Sequence, residues 1–143
     1  MAWIYDAIDK VKTVLEAITT APDVVAIVPK GHEAKSPTAA KTFWHTLHPE
    51  SDSETPEPGE SYLAHYKIGV TVWVKSNEID ETIVSALSTK INDTRGALRY
   101  NDLDGFGRVE LLGDEFEGGE YIDGEDAESV YGYQFFITVT HQY

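Results

Sequence analysis

The sequence predicts an α+β domain in which two helices pack on one face of a largely antiparallel sheet. Two segments repeat apolar residues every three or four positions, and several others alternate apolar with polar side chains. The order is helix, strands, helix, strands, rather than the strict alternation of a parallel α/β fold. At 143 residues the chain fits a single domain spanning 1–143, large enough to bury ~68–70% of its unfolded surface without staples. Its 41% hydrophobic content, eight tyrosines and three tryptophans belong to a folded protein.

Ile4, Ile8, Val11, Leu15 and Ile18 form the first stripe, with Asp9, Lys10, Lys12 and Glu16 opposite, so a helix is expected over about 3–20. Pro22 ends it. Asp23 to Val28 reads as a short buried strand stopped by Pro29 and Gly31, and 30–41 as a loop carrying Lys30, Lys35 and Lys41. Thr42 to His48 reads as a strand with Trp44 and Thr46 on one face and Phe43, His45 and Leu47 on the other. Pro49 to Ser61 holds three prolines, five acids and no large apolar side chain, which predicts a mobile acidic loop, 49–61.

Tyr62 to Lys75 is the clearest strand, with Tyr66, Ile68, Val70, Val72 and Val74 alternating against Lys67, Gly69, Thr71, Trp73 and Lys75. Ser76 or Asn77 then caps a second helix whose stripe is Ile79, Ile83, Leu87 and Ile91, with Glu78, Asp80 and Glu81 in the first turn where the helix dipole favours acids. Gly107 to Gly113 reads as another strand. A second mobile acidic loop follows at 114–128, and Val130 to Tyr143 is a long final strand with Tyr131, Tyr133, Phe135, Ile137 and Val139 on one face.

The charge is uneven. Residues 1–49 hold five acids and five bases, 50–108 eleven and six, and 109–143 nine acids and no base, within a formal net charge of −14. Such a field repels phosphate backbones and argues against nucleic-acid binding by counterion release. It also suits a merely soluble or salt-adapted surface. The densest stretch carries the candidate site residues Asp114, Glu115, Glu117, Glu120, Asp123, Glu125, Asp126 and Glu128, interrupted by Gly118, Gly119 and Gly124.

Zero cysteines exclude disulfides and thiolate metal sites. The acids at Asp6 and Asp9 break any signal-peptide pattern, so a cytosolic chain is expected, and no run of eighteen apolar residues crosses a membrane. Asn101-Asp102-Leu103-Asp104-Gly105 imitates a calcium loop, but in that register the first and twelfth positions fall on Tyr100 and Leu111, so a turn is the better reading. His45 and His48 point to opposite faces of a strand and His65 falls with Lys67 and Trp73. His32 and His141 add no metal spacing. With no nucleophile elbow, phosphate loop or zincin motif either, no catalytic, cofactor or metal residue is assigned and no enzyme is expected. The final strand lacks the Lys and Arg that accompany a base-stacking platform, and the alternating aromatics read as core or subunit interface.

The helix at 3–20, the strand DVVAIV at 23–28, the strand YKIGVTVWV at 66–74, the helix IDETIVSALSTKI at 79–91 and the terminal YGYQFFITVTHQY together resemble the tail terminator, or tail-completion (neck), proteins of long-tailed bacteriophages. The resemblance spans nearly the whole chain and rests on element order, size and the style of the last strand. Head-completion proteins share these features. It implies a small non-catalytic virion subunit, assembled in the host cytoplasm. That subunit would form a homo-oligomeric ring, usually a hexamer, at the head-proximal end of the tail tube, ending tube growth and contacting tail tube and neck proteins. The two long acidic loops depart from a minimal member. In a ring the 114–128 loop would face the lumen or rim, letting DNA pass without binding, and open edges at the terminal strand would recruit neighbours. Two further readings are an acidic polyanion mimic that binds a basic protein, and a cation-binding domain using the 114–128 carboxylates.

Overall fold

The computed structural model describes residues 3–18, 24–30, 43–59, 61–76, 81–112, 117–123 and 129–142. The first helix, α1 (Ile4–Ile18), opens on a reciprocal cap in which the Trp3 N–H donates to Asp6 Oδ2 at 2.8 Å. Its buried stripe is Ile4, Ala7, Ile8, Val11 and Leu15. The second helix, α2 (Glu81–Leu98), buries Leu87, Ile91, Thr94 and Leu98, and so runs two turns past the predicted end. Of the two caps expected, Ser76 is the last residue of the strand Ser61–Ser76, and Asn77 lies with residues 78–80 outside the described residues.

Six strands make one sheet: β1 (Val24–Ile27), β2 (Phe43–Glu57), β3 (Ser61–Ser76), β4 (Arg108–Leu111), β5 (Glu117–Asp123) and β6 (Ser129–Gln142). The order is β1-β2-β3-β6-β4, with β5 also on β6. Among the described residues only β1 pairs in parallel, against Trp44 to Leu47, and the other pairings are antiparallel. The fold is α+β, as expected. Both helices lie on the face carrying Ala64, Tyr66, Ile68, Val70, Val72 and Val74, because these alternate residues of β3 fall in the two clusters that α1 and α2 complete.

Three expectations are corrected. Residues 49–61 are not a loop: β2 continues to Glu57 and pairs with Ser61 to Lys67, leaving a tight connection at Pro58 and Gly59, the latter at φ +91°. Its prolines are tolerated because this half of β2 lies outside β1 at the sheet edge, where a missing N–H breaks no ladder bond, and because the register slips at Pro49/Ser51. Within 114–128, Glu117 to Asp123 form β5, which slips register where Gly118 and Gly119 stand. The terminal strand is not an open edge: β6 has β3 on one side and β4 and β5 on the other.

Candidate functional site

The eight candidate acids divide. Glu117, Glu120 and Asp123 lie on β5 opposite Gln134, Gly132 and Ser129 of β6. Asp114, Glu115, Glu125, Asp126 and Glu128 lie outside the described residues. The other acidic stretch is described except for Glu60: the β2–β3 hairpin presents Asp52 and Glu54 on a strand whose residues 51–56 are all exposed. Glu57 is half-buried and accepts from Ser61 Oγ at 3.2 Å and Gln142 Nε2 at 2.9 Å.

Proline 49 is followed by Glu50, the residue that the register slip leaves without a cross-strand partner. Its carboxylate meets Lys30 Nζ at 2.8 Å and His48 Nε2 at 3.0 Å. Burial works to raise its pKa, but the hydrogen bonds and charges of Lys30 and His48 outweigh burial and hold it below the usual glutamate value. On the helix face, burial pushes the Tyr66 phenol up, and the carboxylates of Glu54, Asp52 and Asp6 add to the shift.

The face opposite the helices carries a buried arrangement that sequence patterning does not reveal. Trp44 and Trp73 stack with centroids 6.2 Å apart, and Trp73 Nε1 donates to Thr46 Oγ1 at 2.8 Å. The row Trp44–Trp73–Gly132 ends on a glycine because a Cβ there would sit 2.3 Å from the Trp73 ring. The row His48–Gly69–Phe136 repeats the device, since a Cβ at Gly69 would meet the His48 ring at 2.0 Å. Large rings lying over a glycine on the neighbouring strand are the detectable signal, and it becomes legible only once the strand register is known.

The histidines do not converge. His45 is buried on the helix side, where its Nε2 lies 3.0 Å from Thr94 Oγ1; that hydroxyl donates to the Lys90 carbonyl, so the imidazole N–H is the donor. His65 lies 3.3 Å from Thr55 Oγ1, and His141 Nδ1 donates to the Phe106 carbonyl while stacking on the Phe106 ring. His32 is outside the described residues. Among the described residues no three His, Asp or Glu side chains gather as a metal site. The calcium-like segment is a turn: Asn101 Oδ1 accepts from Leu103 N at 2.8 Å and Asp102 Oδ1 from Asp104 N at 3.2 Å. No helix among the described residues is long and apolar enough to cross a membrane.

Two depressions are lined by described residues. One, about 480 Å³, lies along α2 at Glu81, Ser85 and Thr89. The other, about 470 Å³, lies between the 105–107 turn and the sheet, with Leu63, Arg108, Glu110 and Thr140 in its wall. Neither lining places a nucleophile beside a base within hydrogen-bonding distance among the described residues.

No protein-family model matches the chain, and no curated protein matches it by sequence. Among solved structures, the fold is similar to that of a chain in the virion of a native gene transfer agent particle, with a TM-score of 0.50 and 19% identity over 96% of this chain and 91% of that one.

Proposed function

We propose that the chain is a structural subunit of a phage-like particle, acting as a tail terminator. It forms a ring at the head-proximal end of the tail tube, ends tube growth and joins tail to neck, with no catalytic step of its own. The observation that carries this reading is the correspondence of fold with a virion chain over 96% of this chain and 91% of that one. The element order that resembles tail-completion proteins supports the finer role. A hexamer is the stoichiometry expected from that resemblance.

Light scattering over a range of concentrations and salt, with negative-stain images of any large species, tests the proposal. Rings of about six subunits support it. A monomer at every condition, also when mixed with tail tube protein, removes it. The segment 114–128 is read as facing the lumen or rim, where β5 places Glu117, Glu120 and Asp123 along one sheet edge; an assembled particle with that segment on its outer wall would remove the lining role.

The hairpin favours a second reading. A regular strand that displays Asp52 and Glu54 with no base between Glu50 and Tyr66 is a fit surface for a basic protein. In that case a salt-sensitive complex with a basic partner forms from a monomer.

A further inference from the structure

All three arginines of the chain, Arg95, Arg99 and Arg108, stand at one corner of the fold. Asn101 joins the two elements that carry them: its Nδ2 donates to the Ala97 carbonyl at 3.1 Å, and its own carbonyl accepts from Val109 N at 2.9 Å. The end of α2 is thereby tied to β4. Between them Tyr100 holds a left-handed backbone at φ 60° and is 67% exposed, with the Arg108 guanidinium 5.3 Å from its ring centroid. Arg99 and Arg108 are exposed and make no ion pair among the described residues. Asp102 and Glu110 stand nearby, but the Asp102 carboxylate is engaged by the Asp104 N–H, so the corner is distinguished by its guanidinium and aromatic groups rather than by net charge.

The complementary chemistry lies on the opposite edge of the same sheet. β1 covers β2 only from Trp44 to Leu47, so Ser51 to Pro56 form an exposed outer stretch bearing Asp52 and Glu54. The cross-strand row Ser53–His65–Thr140–Arg108 puts this stretch level with the arginine corner, and the next row runs Asp52–Tyr66–Val139–Val109. β2, β3, β6 and β4 alternate in direction, so β2 and β4 are antiparallel to each other. A second copy cannot simply continue the ladder, because its β1 would fall where β5 stands beside β6, but its Ser51–Pro56 stretch can meet this corner through side chains.

We infer a head-to-tail contact between two copies of this chain, in which Arg99 and Arg108 of one copy take the Asp52 and Glu54 carboxylates of the next and Tyr100 is buried between them. Guanidinium forks match carboxylates in pairs, and Tyr and Arg dominate the energetics of interface centres. The contact is heterologous, so it closes into a ring or propagates, according to the rotation between copies. The inference rests on the reading of the chain as a self-assembling subunit and adds the surfaces that meet.

The test uses the full chain in three charge-altered forms, Arg99→Glu with Arg108→Glu, Asp52→Lys with Glu54→Lys, and all four together, followed by sedimentation at low and high salt with circular dichroism as a fold check. Each double reversal is expected to weaken self-association by at least about tenfold, because like charges then face each other. The fourfold swap restores it to within a few-fold of the parent, and Tyr100→Ala weakens it without changing the salt slope. An oligomer unchanged by either reversal, or a swap that does not restore it, overturns this contact and leaves the assembly reading standing. A parent chain that is monomeric throughout, also when mixed with tail tube protein, overturns both.

Discussion

The two halves of the β2–β3 hairpin share one backbone ladder and almost nothing else. In the half beside β1, Trp44 to His48 face Gly69 to Trp73, and both sides of the sheet are buried, with Trp44, Leu47 and Val70 at 0% exposure. Past the slip at Pro49, residues 51–56 are exposed on every side chain, although they pair with Tyr62 to Lys67 through an unbroken register. Pairing therefore did not require apolar side chains on β2. The partner strand supplied the anchor, through Ala64 and Tyr66 under α1, and the outer strand was left free to be acidic. Polarity along a strand reports what covers it rather than whether it is a strand.

Substitutions that carry the same ladder into different surroundings put this contrast at risk. Trp73→Ala, in the covered half, is expected to cost ~3–5 kcal/mol by urea unfolding, since it removes a stacked indole and its bond to Thr46. A loss below 1 kcal/mol would place that half with the exposed one. Gly69→Ala is expected to cost ~1–3 kcal/mol, because the methyl must displace the His48 ring. Replacing Thr94 by Val removes the acceptor for His45 Nε2–H inside the core, and a loss of ~1–3 kcal/mol in the same assay is expected. In the outer half, Ser53→Ala and Thr55→Ala should stay within ~0.5 kcal/mol of the parent, and a larger loss would mean that this stretch is load-carrying in the free chain.

The junction between the halves sharpens the contrast further. Glu50 has a depressed pKa in the fold, so its contribution to stability is present above the ordinary glutamate value and is lost as pH falls through the lower folded value. Glu50→Gln should flatten that part of the acid limb of a stability–pH profile. Lys30→Met should do so in part, because His48 still donates to the carboxylate. An unaltered profile for both variants would separate the junction from acid unfolding.

The same contrast explains what was legible in advance. The α1 stripe, the β3 alternation and the faces of β6 were readable, because burial on one side imprints a period on the sequence: Ile8, Val11 and Leu15 in the helix, Ile68, Val70 and Val72 in the strand. The outer half of β2 and all of β5 carry no such imprint. Edge strands answer to solvent on one flank, and the Glu117–Asp123 segment pairs with Ser129 to Gln134, the part of β6 that β4 leaves uncovered. Of the candidate site, the acidic character was legible, but its placement was not. The arginine corner escaped notice because Arg99 and Arg108 are nine positions apart and meet only through the Asn101 turn.

The central position of β6 has a consequence for how the molecule is made. β3, β4 and β5 all precede it in the chain; β4 and β5 pair only with residues 129–142, and β3 finds its second partner there. During synthesis at ~5–20 residues per second, the β2–β3 hairpin therefore emerges seconds before the strand that covers its inner side. A polypeptide interrupted before Ser129 has neither the inner sheet nor a fixed β4 edge. A prematurely terminated chain therefore carries the acidic β2 edge without the Arg108 corner that complements it, and it leaves the β3 edge that β6 would cover unpaired.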